Sequence, residues 1–187
     1  MASKKYIKDY DLVETEDTNG RVRKTAVYRG EYFRLNLEES QIKKNKWQFI
    51  LLFVAALGLH ILAGLVYNPG LNQLYTALPY TASFFPLLFL AEGIFRIPSQ
   101  KRPYRNEEIG LSYRKVINMS RLYLIFMAVG FIGLLVYLVF IAKGLVLQWE
   151  TIYPGVVLGM ALLSMWIIYR KATRIKIEKE ETPSNSE

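Results

Sequence analysis

The chain contains no cysteine. Disulfides, thiol nucleophiles and cysteine-ligated metals or clusters are therefore excluded, and no redox compartment is assigned. It has a single histidine, His60. One imidazole with no second ligand cluster in the apolar segments cannot build a metal site, so no metal and no cofactor is expected. Several catalytic signatures are missing as well. There is no G-x-S-x-G, no phosphate-binding glycine loop, no H-E-x-x-H and no pair of aspartates inside an apolar segment. No apolar h-region follows the opening MASKKYIKDYD, so the expectation is that no signal peptide is cleaved and that the first apolar segment does the targeting.

Charge is missing in a pattern. No Asp, Glu, Lys or Arg occurs over residues 47–91, and two further charge-free stretches cover 122–142 and 151–169. A soluble fold has no use for such blocks. A bilayer core about 30 Å thick needs roughly 20 apolar helical residues to cross it. Lipid leaves no water to satisfy the backbone, so each run reads as helix. The expected spans are about 47–67, 75–95, 122–142 and 151–169. The expected fold class is an all-α integral membrane protein: four transmembrane helices in two tandem in-out-in hairpins, with a small N-terminal β-hairpin.

The basic residues orient those spans. Residues 1–46 hold eleven Lys and Arg, residues 96–121 hold seven, residues 170–187 hold five, and only Lys143 lies elsewhere. Lys and Arg concentrate in cytoplasmic loops. Both termini and the middle loop are thus expected in the cytoplasm, with two short turns outside. Trp47, Trp166 and Tyr169 fit the inner interface; Tyr67, Tyr75, Trp149 and Tyr153 fit the outer one. The net charge of +8 is accounted for by basic residues beside anionic headgroups. No basic patch is interleaved with stacking aromatics, so nucleic acid is not an expected partner. The expected location is a plasma membrane, bacterial by the absent signal peptide and compact size.

The parsing is 1–37 for a cytoplasmic β-hairpin segment and 38–46 for a juxtamembrane helix start. Residues 47–95 form the first transmembrane hairpin and 96–121 a basic loop with an interfacial helix. Residues 122–169 form the second hairpin and 170–187 a charged tail whose end is expected to lack order.

One motif is written twice. Gln73, Thr76 and Pro79 recur 75 positions later as Gln148, Thr151 and Pro154. The same slide lays Gly58 on Gly133, Ile50 on Ile125, Val54 on Val129 and Arg96 on Lys171. Each copy reads as a helix start at the outer interface. Threonine would serve as N-cap, and proline would sit early enough to lose no hydrogen bond. The repeat would be parallel, about an axis along the membrane normal.

Within the spans, His60 and Glu92 form the candidate intramembrane polar site, since ionisable groups at that depth are costly and tend to be functional. The competing reading of His60 is a neutral imidazole bonded across a tight helix contact, because Ala56, His60 and Gly64 share one small face. The competing reading of Glu92 is a helical ion pair with Arg96 four residues on. Pro86 predicts a kink in span two. Gly58, Gly64, Gly133, Gly155 and Gly159 are expected at helix contacts, within the chain or between copies. Arg96, Lys101, Arg102 and Arg105 are expected against anionic lipid phosphates.

Outside the spans, Asn19–Gly20 reads as the turn of a β-hairpin. That register puts Glu16 opposite Arg23, Val13 opposite Ala26 and Leu12 opposite Val27. A third strand is expected within residues 31–37. A hairpin alone is marginal in water, so it must rest on the middle loop, the headgroups or a partner. Asn36 or Ser40 is expected to cap the helix leading into span one. Asn106 is expected to cap a helix whose face carries Ile109, Tyr113, Val116, Ile117 and Ser120. The functional expectation is a non-enzymatic scaffold, anchor or accessory subunit of a membrane complex, with a homo-oligomer or another membrane protein as partner. A small oligomeric transporter or channel subunit is the alternative, and an interfacial lipid-modifying enzyme comes last.

Overall fold

A computed structural model describes residues 4–16, 22–65, 67–141 and 149–180. A short 3-10 turn, Lys4–Asp9, leads into β1 (Tyr10–Glu16) and β2 (Val22–Tyr28). β3 (Tyr32–Leu35) precedes α1 (Glu39–Leu65), α2 (Leu74–Ala82) and α3 (Phe84–Phe95). The middle loop contributes β4 (Tyr104–Arg105) and α4 (Asn106–Leu111). Then come α5 (Tyr113–Val136) with a π-helical end (Tyr137–Ile141), α6 (Trp149–Arg174) and β5 (Ile177–Lys179).

Four helical stretches are long and apolar enough to cross a membrane: Glu39–Leu65, Leu74–Phe95, Asn106–Ile141 and Tyr153–Arg174. Their large side chains divide between a shared interior and an exposed apolar outside. Phe49, Leu90, Tyr123 and Met165 are buried, while Leu51, Leu88, Phe140 and Leu163 are exposed. α1 packs on α6, and α5 packs on α2 and α3 as well as on α6, its neighbour in sequence.

Span two is irregular at Ser83 rather than at Pro86 itself, yet the chain stays helical there: the Ser83 amide bonds the Pro79 carbonyl at 3.0 Å and its carbonyl accepts from the Leu87 amide at 3.4 Å. Pro86 lacks an amide and its ring crowds the carbonyl four residues back, on Ala82. The irregularity lies one turn upstream, and Pro86 is a first-turn residue of α3, where no amide is needed.

The caps differ from those read in the sequence. α2 starts at Leu74 with Gln73 as its N-cap, and Thr76 lies inside the helix. The amides of Thr76 and Ala77 both bond the Gln73 carbonyl, at 2.9 and 2.7 Å. The helix begins early because Asn68 folds the preceding turn, its side-chain oxygen accepting from the Gly70 and Leu71 amides. Pro79 is therefore the sixth residue of α2, past the first turn. Gln148 and Lys143 lie outside the described residues. The N-cap of α4 is Arg105, not Asn106, and the Glu108 carboxylate accepts from its amide at 3.0 Å. At α1, neither Asn36 nor Ser40 caps. The Glu38 carbonyl accepts from the Ile42 amide, and Gln41 reaches back to the Glu38 amide.

The N-terminal hairpin is present, one residue out of the expected register. Glu16 pairs Val22, Val13 pairs Thr25 and Leu12 pairs Ala26. A one-residue slip changes which side chains share a face. The observed pairing matches Tyr10 with Tyr28, rings 5.2 Å apart and edge-on, and Glu14 with Lys24 at 3.2 Å. The Asn19–Gly20 turn and the chain end, residues 181–187, lie outside the described residues.

The third strand does not join that hairpin. β3 is the centre of a separate sheet in the order β4-β3-β5, antiparallel on both sides. Phe33 pairs Tyr104 on one side and Lys179 on the other. The separation falls at Gly30, where any Cβ would lie 2.6 Å from the Tyr28 hydroxyl and 2.8 Å from the Asp9 Cβ. The new partners bury Leu35 and Tyr104. Flanking bonds extend the pairing: the Glu180 amide donates to the Tyr32 carbonyl at 2.8 Å, and the Asn36 amide to the Lys176 carbonyl at 3.2 Å. The segment before span one, the middle loop and the tail thus meet in one sheet.

Candidate functional site

His60 is fully buried and sits among three helices. Its Nδ1 lies 3.2 Å from the Tyr123 hydroxyl of α5, and its Nε2 3.3 Å from the Ser83 Oγ at the α2–α3 junction. The roles follow from Ser83. A carbonyl only accepts, so the 2.6 Å contact between Ser83 Oγ and the Tyr80 carbonyl uses the serine hydrogen. Toward His60 the serine must accept, which assigns the imidazole proton to Nε2. Nδ1 is then the acceptor, and the Tyr123 hydroxyl donates to it. Tyr80 completes the circuit by donating its own hydroxyl to the His60 carbonyl at 2.6 Å. Its ring stacks on the imidazole, 4.4 Å between centroids at 14°, while Phe84 meets the imidazole edge-on.

Small residues make this approach possible. Ala56 is buried one turn before His60. One turn after it, a Cβ on Gly64 would stand 2.5 Å from the Tyr80 hydroxyl. Sequence reading singled out His60, Ala56 and Gly64 but missed Tyr80, Ser83 and Tyr123. Ser83 meets His60 at the junction of α2 and α3, and nothing local in the sequence states that contact.

Glu92 belongs to a different cluster. It pairs with Arg96 at 2.9 Å on its own helix and with Lys115 from α5. The Lys115 ammonium also lies 4.9 Å from the Phe89 ring centre. His60 and Glu92 have no partner in common. Among the described residues, no group of three His, Asp or Glu side chains is placed to hold a metal ion.

The glycines divide. A Cβ on Gly133 would stand 3.0 Å from both Thr76 Oγ1 and the Tyr75 ring, and Gly64 meets Tyr80. A Cβ on Gly58, Gly155 or Gly159 would meet nothing from other elements within 4 Å among the described residues. The 75-residue slide equates Gly58 with Gly133, yet only Gly133 takes a close neighbour.

The basic candidates are largely engaged at the sheet end of the bundle. Arg102 forms a two-pronged ion pair with Glu108. Arg105 lies over the Tyr28 ring at 5.3 Å, and Arg96 holds Glu92. Lys101 lines a cleft of about 280 Å³ with Arg34, Leu35, Arg102 and Pro103.

The hairpin rests on the middle loop. Tyr10 donates to the Glu107 carboxylate at 3.0 Å, and the Asn106 amide donates to the Tyr28 hydroxyl at 3.0 Å. Burial pushes the Tyr28 phenol above its usual range, opposed by that amide. Tyr6 packs so closely on Gly110 that a side chain there would overlap its phenol. Beyond this anchored base, Leu12, Val13, Val22 and Val27 are exposed.

No protein-family model, no curated protein and no solved structure matches the chain. Length and composition of its four apolar helices define a multi-pass membrane protein. Its particular role must be argued from its own geometry.

Proposed function

We propose that the chain is a non-enzymatic scaffold, anchor or accessory subunit of a membrane complex. It presents a folded platform at the cytoplasmic face. The observation that carries this reading is the joining of three separate segments at one end of the bundle. β3 lies between β4 and β5, and the tyrosines of the β1–β2 hairpin are bonded to the middle loop. Ordering long polar segments costs conformational entropy that a membrane anchor alone has no need to offset. The platform then holds out a hairpin with exposed apolar side chains on a soluble element, a feature that marks interaction sites. The cytoplasmic assignment rests on the Lys and Arg distribution.

The reading is preferred to a small oligomeric transporter because His60 and Glu92 sit in separate, internally bonded clusters. A photo-crosslinking residue at Leu12 or Val27 tests it in cells, with one at Trp166 as the lipid-facing control. One protein species captured from both hairpin positions and not from Trp166 supports the platform role. Capture only of lipid, together with a solute-uptake defect in His60→Phe, would replace it with the transport reading.

A further inference from the structure

We propose that the end of the bundle opposite the sheets carries a binding site for the uncharged, hydroxyl-bearing headgroup of a lipid such as a monoacylglycerol. A cleft of about 440 Å³ opens there between the end of α1, the connecting loop and one side of α2. The volume falls within the range of small-molecule sites. Gly64 and Leu65 of α1, Asn68 and Asn72 of the connecting loop, and Ala77 and Tyr80 of α2 line it. The gap follows from the packing. α1 leans on α6 and α2 on α5, so two helices adjacent in sequence part at this end.

The walls are held in place rather than left by chance. Asn68 is buried and fastens the loop through the Gly70 and Leu71 amides. A Cβ on Gly70 would stand 2.7 Å from the Tyr137 ring and 2.8 Å from a Leu134 methyl, so the loop is seated on the end of span three. The floor is Tyr80, fixed by its bond to the His60 carbonyl and by its stacking on the imidazole.

The lining selects the chemistry. The chain has no charged residue between 47 and 91, so no lining side chain can pair with a phosphate, carboxylate or ammonium. An ion would lose hydration there without recovering a partner among the described lining side chains. Hydroxyls are suited. Asn72 offers an amide and Tyr67 and Thr81 offer hydroxyls, all on exposed side chains at the cleft. Tyr80 spends its hydrogen on His60 and keeps a lone pair for an incoming O–H. Leu65, Leu71 and Ala77 supply the apolar wall along which an acyl chain leaves toward the bilayer.

The test uses the full chain in phosphatidylcholine nanodiscs, because sugar detergents carry hydroxyls that would compete. Binding of radiolabelled 1-oleoylglycerol is measured beside its phosphate ester, oleoyl lysophosphatidic acid. Saturable binding of the glycerol lipid, at least tenfold tighter than the phosphate ester, is expected. Ala77→Phe fills the cleft and should weaken binding tenfold or more. Asn72→Leu, at an exposed position that leaves packing intact, should weaken it several-fold with the thermal midpoint unchanged. Equal affinity for the phosphate ester, binding no greater than to protein-free discs, or Asn72→Leu binding as tightly as the parent chain would each overturn the proposal. So would full displacement by millimolar free glycerol, which would make the ligand a soluble polyol.

Discussion

At the scale of single residues, the His60 circuit shows how a polar group is tolerated inside an apolar bundle. Each hydrogen in it has an acceptor, and the order of donation is fixed by one serine that must donate to a carbonyl. Breaking it at either nitrogen strands a buried group. Tyr123→Phe leaves Nδ1 without a donor, and Ser83→Ala leaves the Nε2 proton without an acceptor. Each should cost about 1–3 kcal/mol in reversible unfolding from detergent micelles. A double-mutant cycle of Tyr123→Phe with His60→Leu, which share a bond, should show a coupling of roughly 0.6 kcal/mol, the usual size for hydrogen bonds between membrane helices. If both single variants unfold like the parent chain, the circuit is not what holds these three helices.

At the scale of elements, irregular positions coincide with contacts between helices. Span two is irregular at Ser83, three residues before Pro86, and there the serine meets His60 of α1. Pro79 removes an amide from the middle of α2, and Gly133 brings α5 close beside it. Gly133→Leu should therefore destabilise the bundle by several kcal/mol, since overpacking a tight contact costs about 1–3 kcal/mol and here backbone also stands in the way. Gly58→Ala adds a Cβ where nothing lies within 4 Å. It should be neutral or stabilising by up to about 1 kcal/mol, the propensity difference between the two residues. Thermal unfolding of the two variants side by side checks the contrast. The open faces of Gly155 and Gly159 allow a separate check. If copies associate through them, Gly155→Ile combined with Gly159→Ile should lower the mass measured by light scattering in micelles.

At the scale of the whole molecule, the sheet order makes a topological demand. β3, β4 and β5 come from segments before span one, between spans two and three, and after span four. They can pair only if all three emerge on one side of the bilayer. Because the chain has no cysteine, single introduced cysteines are clean reporters. Thr25→Cys and Arg174→Cys should react with a membrane-impermeant maleimide only after cells are opened. Asn72→Cys should react in intact cells. Opposite labelling of positions 25 and 174 would be incompatible with β3 pairing β5.

The sequence by itself determined what depends on long runs and on composition. Charge-free stretches of span length have one physical solution in lipid, so four helices follow from counting, and 23 of 24 basic residues outside the turns mark which segments belong together. Local chemistry also carried the ion pair of Glu92 with Arg96 and the small face around His60, because helical neighbours are set by a fixed period. What only the tertiary structure decided is everything that depends on which surfaces meet. The hairpin register moved by one residue because Tyr10 found Tyr28. β3 left its sequence neighbour for strands about 70 and 140 residues away. Ser83, Tyr80 and Tyr123 converged on His60 from helices whose rotations no local pattern specifies. A helix advertises its apolar stripe through its period, but the partner of a single polar atom is chosen by the packing of the other helices, and that choice is collective.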